Sequence, residues 1–177
     1  AGLKMCIARQ AHPSMTRNGH LVDAQKEGFT HFLSLDDDQT FPGDVVEKML
    51  AHEKPILTCN YRKKVQEIEY VCSDIDGQML DSTHRTGIER IKMMGMGVAL
   101  IDLSALAAFP APYFGAMWNV DTSTYVIEDE FFCRLLWARG IEIWCDHDLS
   151  RQIGHVGEFE YIPPEYSPAL SLVEQAA

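Results

Sequence analysis

Two periodicities alternate along this chain. Short apolar runs of strand length are separated by segments whose apolar residues recur every three or four positions, as on one face of a helix. RNGHLVDAQKEG, 17–28, predicts a helix: Asn18 is placed to cap it, Leu21 and Val22 face inward, and Gly28 ends it. THFLSL, 30–35, is a nearly continuous apolar run, the pattern of a strand buried on both faces. GDVVEKMLAHE, 43–53, predicts a second helix, capped by Asp44, with Val45, Val46, Met49 and Leu50 in one stripe. PILTCNY, 55–61, predicts a second buried strand.

The middle of the chain is less regular. Residues 65–80 alternate and contain Asp76-Gly77, a hairpin signal. IKMMGMGVALID, 91–102, predicts a strand interrupted by Gly95 and Gly97, followed by a short helix, LSALAAF, closed by Pro110. Residues 110–127, rich in Pro, Gly and aromatics, read as a loop. EDEFFCRLLWARG, 128–140, is the clearest helix. Phe131, Phe132, Leu135 and Leu136 form its stripe, Glu130 and Arg134 an i,i+4 pair, and Gly140 its end. IEIWCD, 141–146, alternates like a strand, and GHVG leads into a tail over 158–177. Strands alternating with helices predict one α/β domain spanning 1–177, its mixed, mainly parallel sheet flanked by helices.

Composition narrows the partners. Hydrophobic residues make up 46% and charged residues 23%, the balance of a globular protein. A net charge of −11 argues against a nucleic-acid surface, which needs a basic face. It leaves room for a nucleotide, because a metal ion can bridge carboxylates to phosphates. No apolar run is long enough to span a bilayer, and no signal peptide is evident. The five cysteines are scattered, without a CxxC, which predicts buried free thiols in a reducing, cytoplasmic setting. The chain opens on Ala, as a trimmed chain or a fragment would.

Five features could carry chemistry. Asp36, Asp37 and Asp38 follow the 30–35 run at the strand end where α/β sheets gather ligands. Asp36 and Asp38, one residue apart, can converge on one hard divalent cation, Mn2+ or Mg2+; an acidic loop before a helix is the plainer reading. Glu128 and Asp129 open a helix, where acidic residues are common and where a general base would have a rigid mount. His155 stands between glycines, as a structural histidine or as a third metal ligand. Gly95 and Gly97 predict close approach of a ligand or another backbone, or else a β-bulge. Trp118, Asn119, Asp121 and Tyr125 could stack on and hydrogen-bond a sugar, or simply pack against the sheet.

Taken in order, a strand ending in DxD, then FP and a helix, a Gly-x-Gly strand, EDEFFCR and a late GH resemble the GT-A glycosyltransferases. The small, family 2-like members of phage and bacteria are the most similar. The resemblance runs from about Arg17 to His155. It implies a Rossmann-like sheet, a UDP- or GDP-linked sugar as donor and a carbohydrate or other hydroxyl acceptor. It further implies that Asp36 and Asp38, with Asp37 between them, hold Mn2+ or Mg2+ against the nucleotide diphosphate. His155 would complete the metal shell, and Gly95 and Gly97 would line the donor–acceptor cleft. Asp129 would deprotonate the acceptor in an inverting transfer, with Glu128 beside it. Trp118 and Asp121 fall where substrate would lie. One departure stands out: family members begin with a strand and loop that bind the base, and AGLKMCIARQAHPSM does not read as that strand. Its absence would leave an edge strand open to pairing with a second copy.

Two other readings share the acidic turn. LSLDDDQT also matches the opening motif of haloacid-dehalogenase-like phosphatases, with Asp36 as nucleophile and Asp38 as acid/base on Mg2+. That family needs a later lysine, for which Lys92 is a poor match, and an acidic pair after a strand. The third reading is a binding module that keeps the sheet without catalysis.

Overall fold

The computed structural model describes residues 2–7, 12–157 and 160–161, the last pair as backbone. Helix α1, Pro13–Lys26, begins earlier than the periodicity predicts, because Pro13 suits the first helical turn. Asn18 therefore lies inside the helix and is not its cap. Its side chain clamps a distant loop: Oδ1 accepts from the backbone N–H of Tyr113 at 2.7 Å and of Phe114 at 3.1 Å, and Nδ2 donates to the Phe114 carbonyl at 2.7 Å. Among the described residues no strand precedes β1, His31–Leu35.

β1 leads through the Asp36–Asp38 turn to a two-residue strand, β2, Gln39–Thr40. Then come α2, Val45–Leu50; β3, Ile56–Thr58; β4, Ile88–Ile91; and β5, Val98–Asp102, followed by a 3-10 turn at Leu103–Leu106. Of the strand predicted over 91–102, only Val98–Asp102 forms, as β5; β4 ends at Ile91 and the stretch holding Gly95 and Gly97 between them is irregular. Residues 110–127, expected as a loop, contain a hairpin of β6, Ala116–Asn119, and β7, Thr124–Ile127. Helix α3, Glu128–Trp137, β8, Ile143–Asp146, and the short α4, His147–Ser150, follow, then β9, Gly154–Val156, and β10, Glu160–Tyr161. The rest of the predicted 158–177 tail lies outside the described residues.

The main sheet has the order β1-β5-β3-β8-β4. It is mostly antiparallel rather than mainly parallel: only β3 and β8 pair in parallel. The strand–helix–strand alternation did set β1 and β3 in one direction. β5 then inserts between them, antiparallel to both, since alternation dictates direction and not adjacency. β1 is consequently an edge strand, and three of its five residues are only partly buried, contrary to the two-sided burial expected. Period-2 alternation divides the core between the two faces. Ile56, Ala99 and Ile101 pack with Leu21 of α1 and Phe132 and Leu136 of α3; Leu57, Val98 and Leu100 pack with Val45 and Met49 of α2 and Leu149 of α4. The result is a helix–sheet–helix sandwich.

Residues 62–87 hold only isolated bridges, Arg62 with Tyr70 and Ser73 with Met79 and Met93, where a hairpin was expected. Asp76-Gly77 does turn, with Gly77 at φ +84°. Buried side chains dock this segment instead. Asn60 donates to the Leu80 carbonyl at 2.6 Å and accepts from the Cys72 N–H at 3.1 Å, and Ser82 bonds the His147 ring at 2.9 Å. A second small sheet, β10-β9-β2, brings residues 154–156 back to the aspartate turn.

Candidate active site

The three aspartates form a tight turn closed by the Gln39 N–H on the Asp36 carbonyl at 3.2 Å. The turn alternates its side chains: Asp36 and Asp38 are half-buried and Asp37 is exposed. The pairing of Gln39 with His155, and a bond from the Val156 N–H to the Asp38 carbonyl at 2.7 Å, bring the late histidine beside the turn. His155 Nε2 lies 3.5 Å from Asp38 Oδ2. Its Nδ1 meets the Arg62 carbonyl at 2.8 Å, which can only accept, so Nδ1 carries a hydrogen and Nε2 is the nitrogen that faces Asp38.

Asp36 and Asp38 do not share one counter-ion. Asp36 Oδ1 receives Arg17 Nη2 at 2.7 Å, while Arg17 Nη1 bonds Glu128 and lies 3.6 Å from Asp129 Oδ1. Asp38 Oδ2 receives Lys64 at 2.5 Å. Partial burial by itself raises the Asp38 carboxyl, but the hydrogen bond from Lys64 and the positive field of His155 and Lys64 hold it below the ordinary value. Asp129 goes the other way. Burial pushes it up, and Asp36 adds to this, against the lowering effect of Arg17 and of the Met96 N–H bonded to Oδ2 at 3.2 Å. Glu128 sits at φ +36°, rarely occupied by an L-residue with a long side chain, and its N–H bonds the Gly115 carbonyl at 2.8 Å. Arg17, Asp36, Gly95, Glu128 and Asp129 line one cavity of about 630 Å³.

Gly95 and Gly97 answer to a side chain, not to a bulge or a passing backbone. A Cβ on Gly95 would lie 2.6 Å from the Tyr61 hydroxyl, and one on Gly97 2.5 Å from it and 2.7 Å from Cζ. Tyr61 is buried, accepts from the Gly97 N–H at 2.9 Å and stacks edge-on against His155, ring centroids 5.3 Å apart. Burial and the nearby Asp129 and Asp36 keep its phenol protonated, far above the ordinary value. It joins the glycine strand to the histidine.

Trp118 and Asp121 lie on the hairpin, Trp118 half exposed against Tyr125 at 5.0 Å and Asp121 in the exposed turn. No hydrogen bond or ion pair among the described residues joins either to Asp36, Asp38, Glu128 or Asp129, although β7 runs directly into Glu128. Arg17, Tyr61 and Lys64 escaped the sequence reading. Arg17 and Tyr61 have no local signature. Lys64 ends the basic run Arg62-Lys63-Lys64, conspicuous in an acidic chain.

The residues around Asp38 fit a divalent ion. Asp38 Oδ1 is buried without a hydrogen-bond partner, and the imidazole faces the same carboxylate. Among the described residues no group of three or more His, Cys, Asp or Glu side chains is placed to hold a metal ion, so Asp36, Asp38 and His155 do not form the three-ligand shell expected of them. An ion shared with phosphates takes only one or two carboxylates from the protein.

The fold and the cleft define an α/β sandwich with an acidic, cation-bearing site at the end of its sheet. No family model matches the chain, and no curated protein matches it. Seventeen chains of solved structures do. One is the crystal structure of A197 from STIV, which superposes with a TM-score of 0.60 over 85% of this chain and 71% of that one, at 15% identity. That likeness is one of fold. No helix among the described residues is long and apolar enough to cross a membrane.

Proposed function

We propose that this chain transfers a sugar from a nucleotide diphosphate sugar, UDP- or GDP-linked, to a hydroxyl acceptor, with Mn2+ or Mg2+ as cofactor. The observation that carries the reading is the convergence of Asp36, Glu128 and Asp129 on Arg17 in one cavity, with Asp38 on the same turn as Asp36 and His155 of β9 beside it. Asp38 and His155 would hold the ion, with Asp36 next to them. Bound there, it would neutralise the leaving diphosphate.

The other steps belong to side chains. Asp129, raised toward the working pH by burial, takes the proton of the acceptor hydroxyl. The Met96 N–H fixes one of its oxygens, and the other, Oδ1, is buried without a hydrogen bond and faces Arg17 Nη1 at 3.6 Å. Arg17 holds Glu128 and Asp36 in place through its two ion pairs. Attack from the side opposite the leaving group gives inversion in one displacement. The exposed face of the hairpin, Trp118 and Tyr125, offers the acceptor an aromatic platform. Four of the five free thiols are buried, as suits a cytoplasmic protein.

The phosphatase alternative has less to rest on. The strand bearing Asp36 is an edge strand of a mostly antiparallel sheet, and the cation on Asp36 is Arg17, while Lys92 lies beside the Gly77 turn. The test is a panel of nucleotide sugars with Mn2+, scored for binding and slow hydrolysis, on wild type and Asp38→Ala. Metal-dependent binding that Asp38→Ala abolishes is expected. No nucleotide bound with or without metal removes the transferase reading. Phosphoaspartate trapped at Asp36 favours the phosphatase, and binding without turnover or transfer the non-catalytic module.

A further inference from the structure

The positive charge that the aspartate turn demands is already supplied by the chain, and the two cations supplying it are held differently. Arg17 is largely buried on α1 and faces three carboxylates. Lys64 is one-third exposed, and among the described residues its ion-pair partner is Asp38 alone. Its backbone belongs to an irregular stretch tied by the Arg62–Tyr70 bridge and by the Lys63 N–H on the Glu69 carbonyl at 2.8 Å. An ammonium on a four-carbon stem at such a place changes partner by rotamer alone, with no strand to break.

We propose that Lys64 is a diphosphate-binding residue held in reserve on Asp38: once Asp38 and His155 take up a divalent ion, its ammonium moves to the diphosphate oxygens at that ion. This rests on the donor reading above. A divalent ion at Asp38 Oδ2 would compete with the ammonium already there. An ammonium 2.5 Å from that oxygen would stand within about 5 Å of an ion bound at the usual ligand distance. The repulsion is relieved by an anion with several oxygens, which the ion itself recruits. Two further features show Asp38 prepared for exchange: its Oδ1 is buried without a hydrogen-bond partner, and His155, oriented by the Arg62 carbonyl, waits 3.5 Å from Oδ2. Until then the ion pair keeps the turn in shape.

The experiment measures two affinities on the whole chain: Mn2+ alone, and inorganic pyrophosphate at saturating Mn2+. Wild type, Lys64→Met and Lys64→Arg are compared after circular dichroism has shown each to be folded, with Lys64→Gln in place of a methionine variant that is not. Loss of the competing ammonium tightens Mn2+ binding about 3-fold, as expected for a half-exposed ion pair. Loss of the diphosphate partner weakens pyrophosphate about 10-fold or more, and Lys64→Arg returns both values toward wild type. Opposed shifts are the signature, since a lysine that merely neutralised Asp38 would produce the first alone. Unchanged pyrophosphate affinity in Lys64→Met, weaker Mn2+ binding in it, or no Mn2+ uptake by wild type overturns the proposal. A wild type that shows the opposed shifts yet transfers no sugar from any donor leaves Lys64 in this role and removes the transferase reading.

Discussion

At the scale of single residues, Asp129 and Gly95 make opposite demands. Asp129 is carried above its ordinary range by burial, so the native state holds that proton more tightly than the unfolded chain does. Its ionised form therefore costs stability, and stability falls as pH rises through the raised range. Asp129→Asn removes that slope while Asn Oδ1 can still accept from Met96. We expect transfer to drop by about 100-fold or more, with a melting temperature at neutral pH equal to or above wild type and a flatter dependence between acid and neutral pH, followed by circular dichroism. Gly95 is constrained by packing. Gly95→Ala drives a methyl against the Tyr61 hydroxyl and should cost about 1–3 kcal/mol in urea denaturation. Tyr61→Phe removes that oxygen and should recover part of the loss. For Gly97→Ala it should recover less, because Cζ of the ring also stands in the way at 2.7 Å.

At the scale of elements, long-range side-chain bonds do what local propensity does not. Asn18 looked like a cap and instead fastens the loop before the hairpin to α1. Asn18→Ala leaves two N–H groups and a carbonyl without their partner, so a loss of about 1–3 kcal/mol is expected in thermal or urea unfolding. Removal of a mere cap would also be felt in peptide fragments of the helix; here such fragments should be indifferent, because the bonds reach across the molecule. The strongly periodic elements were legible: α3 and β3 lie where their patterns put them, and Gly28 and Gly140 end their helices at φ +76° and +70°. Weakly patterned elements were not. The hairpin at 116–127 places Trp118, Tyr125 and Ile127 outward on one exposed face, so the alternation that marks a half-buried strand is blurred. Two-residue strands such as β2 carry no period at all.

At the scale of the whole molecule, the cleft and the turn beside it are assembled from chain segments that share no neighbourhood in sequence. Arg17 comes from α1, Asp36 and Asp38 from the turn after β1, Tyr61 and Lys64 from beyond β3, the glycines from the approach to β5, Glu128 and Asp129 from α3, and His155 from β9. By itself the sequence determined the α/β class, the position of the acidic turn at a strand end, and the helix opened by Glu128 and Asp129. These follow from local periodicity and from three consecutive charges at a strand end, more than a helix cap requires. Tertiary structure alone decided that β5 separates β1 from β3, that Tyr61 fills the space left by Gly95 and Gly97, and that β9 returns His155 to Asp38. It alone decided that Arg17 and Lys64, and not each other's vicinity, neutralise Asp36 and Asp38. The physical reason is common to all four. Strand adjacency, packing and ion pairing are contacts between residues distant along the chain, and a single sequence records each partner's chemistry but not which partners meet.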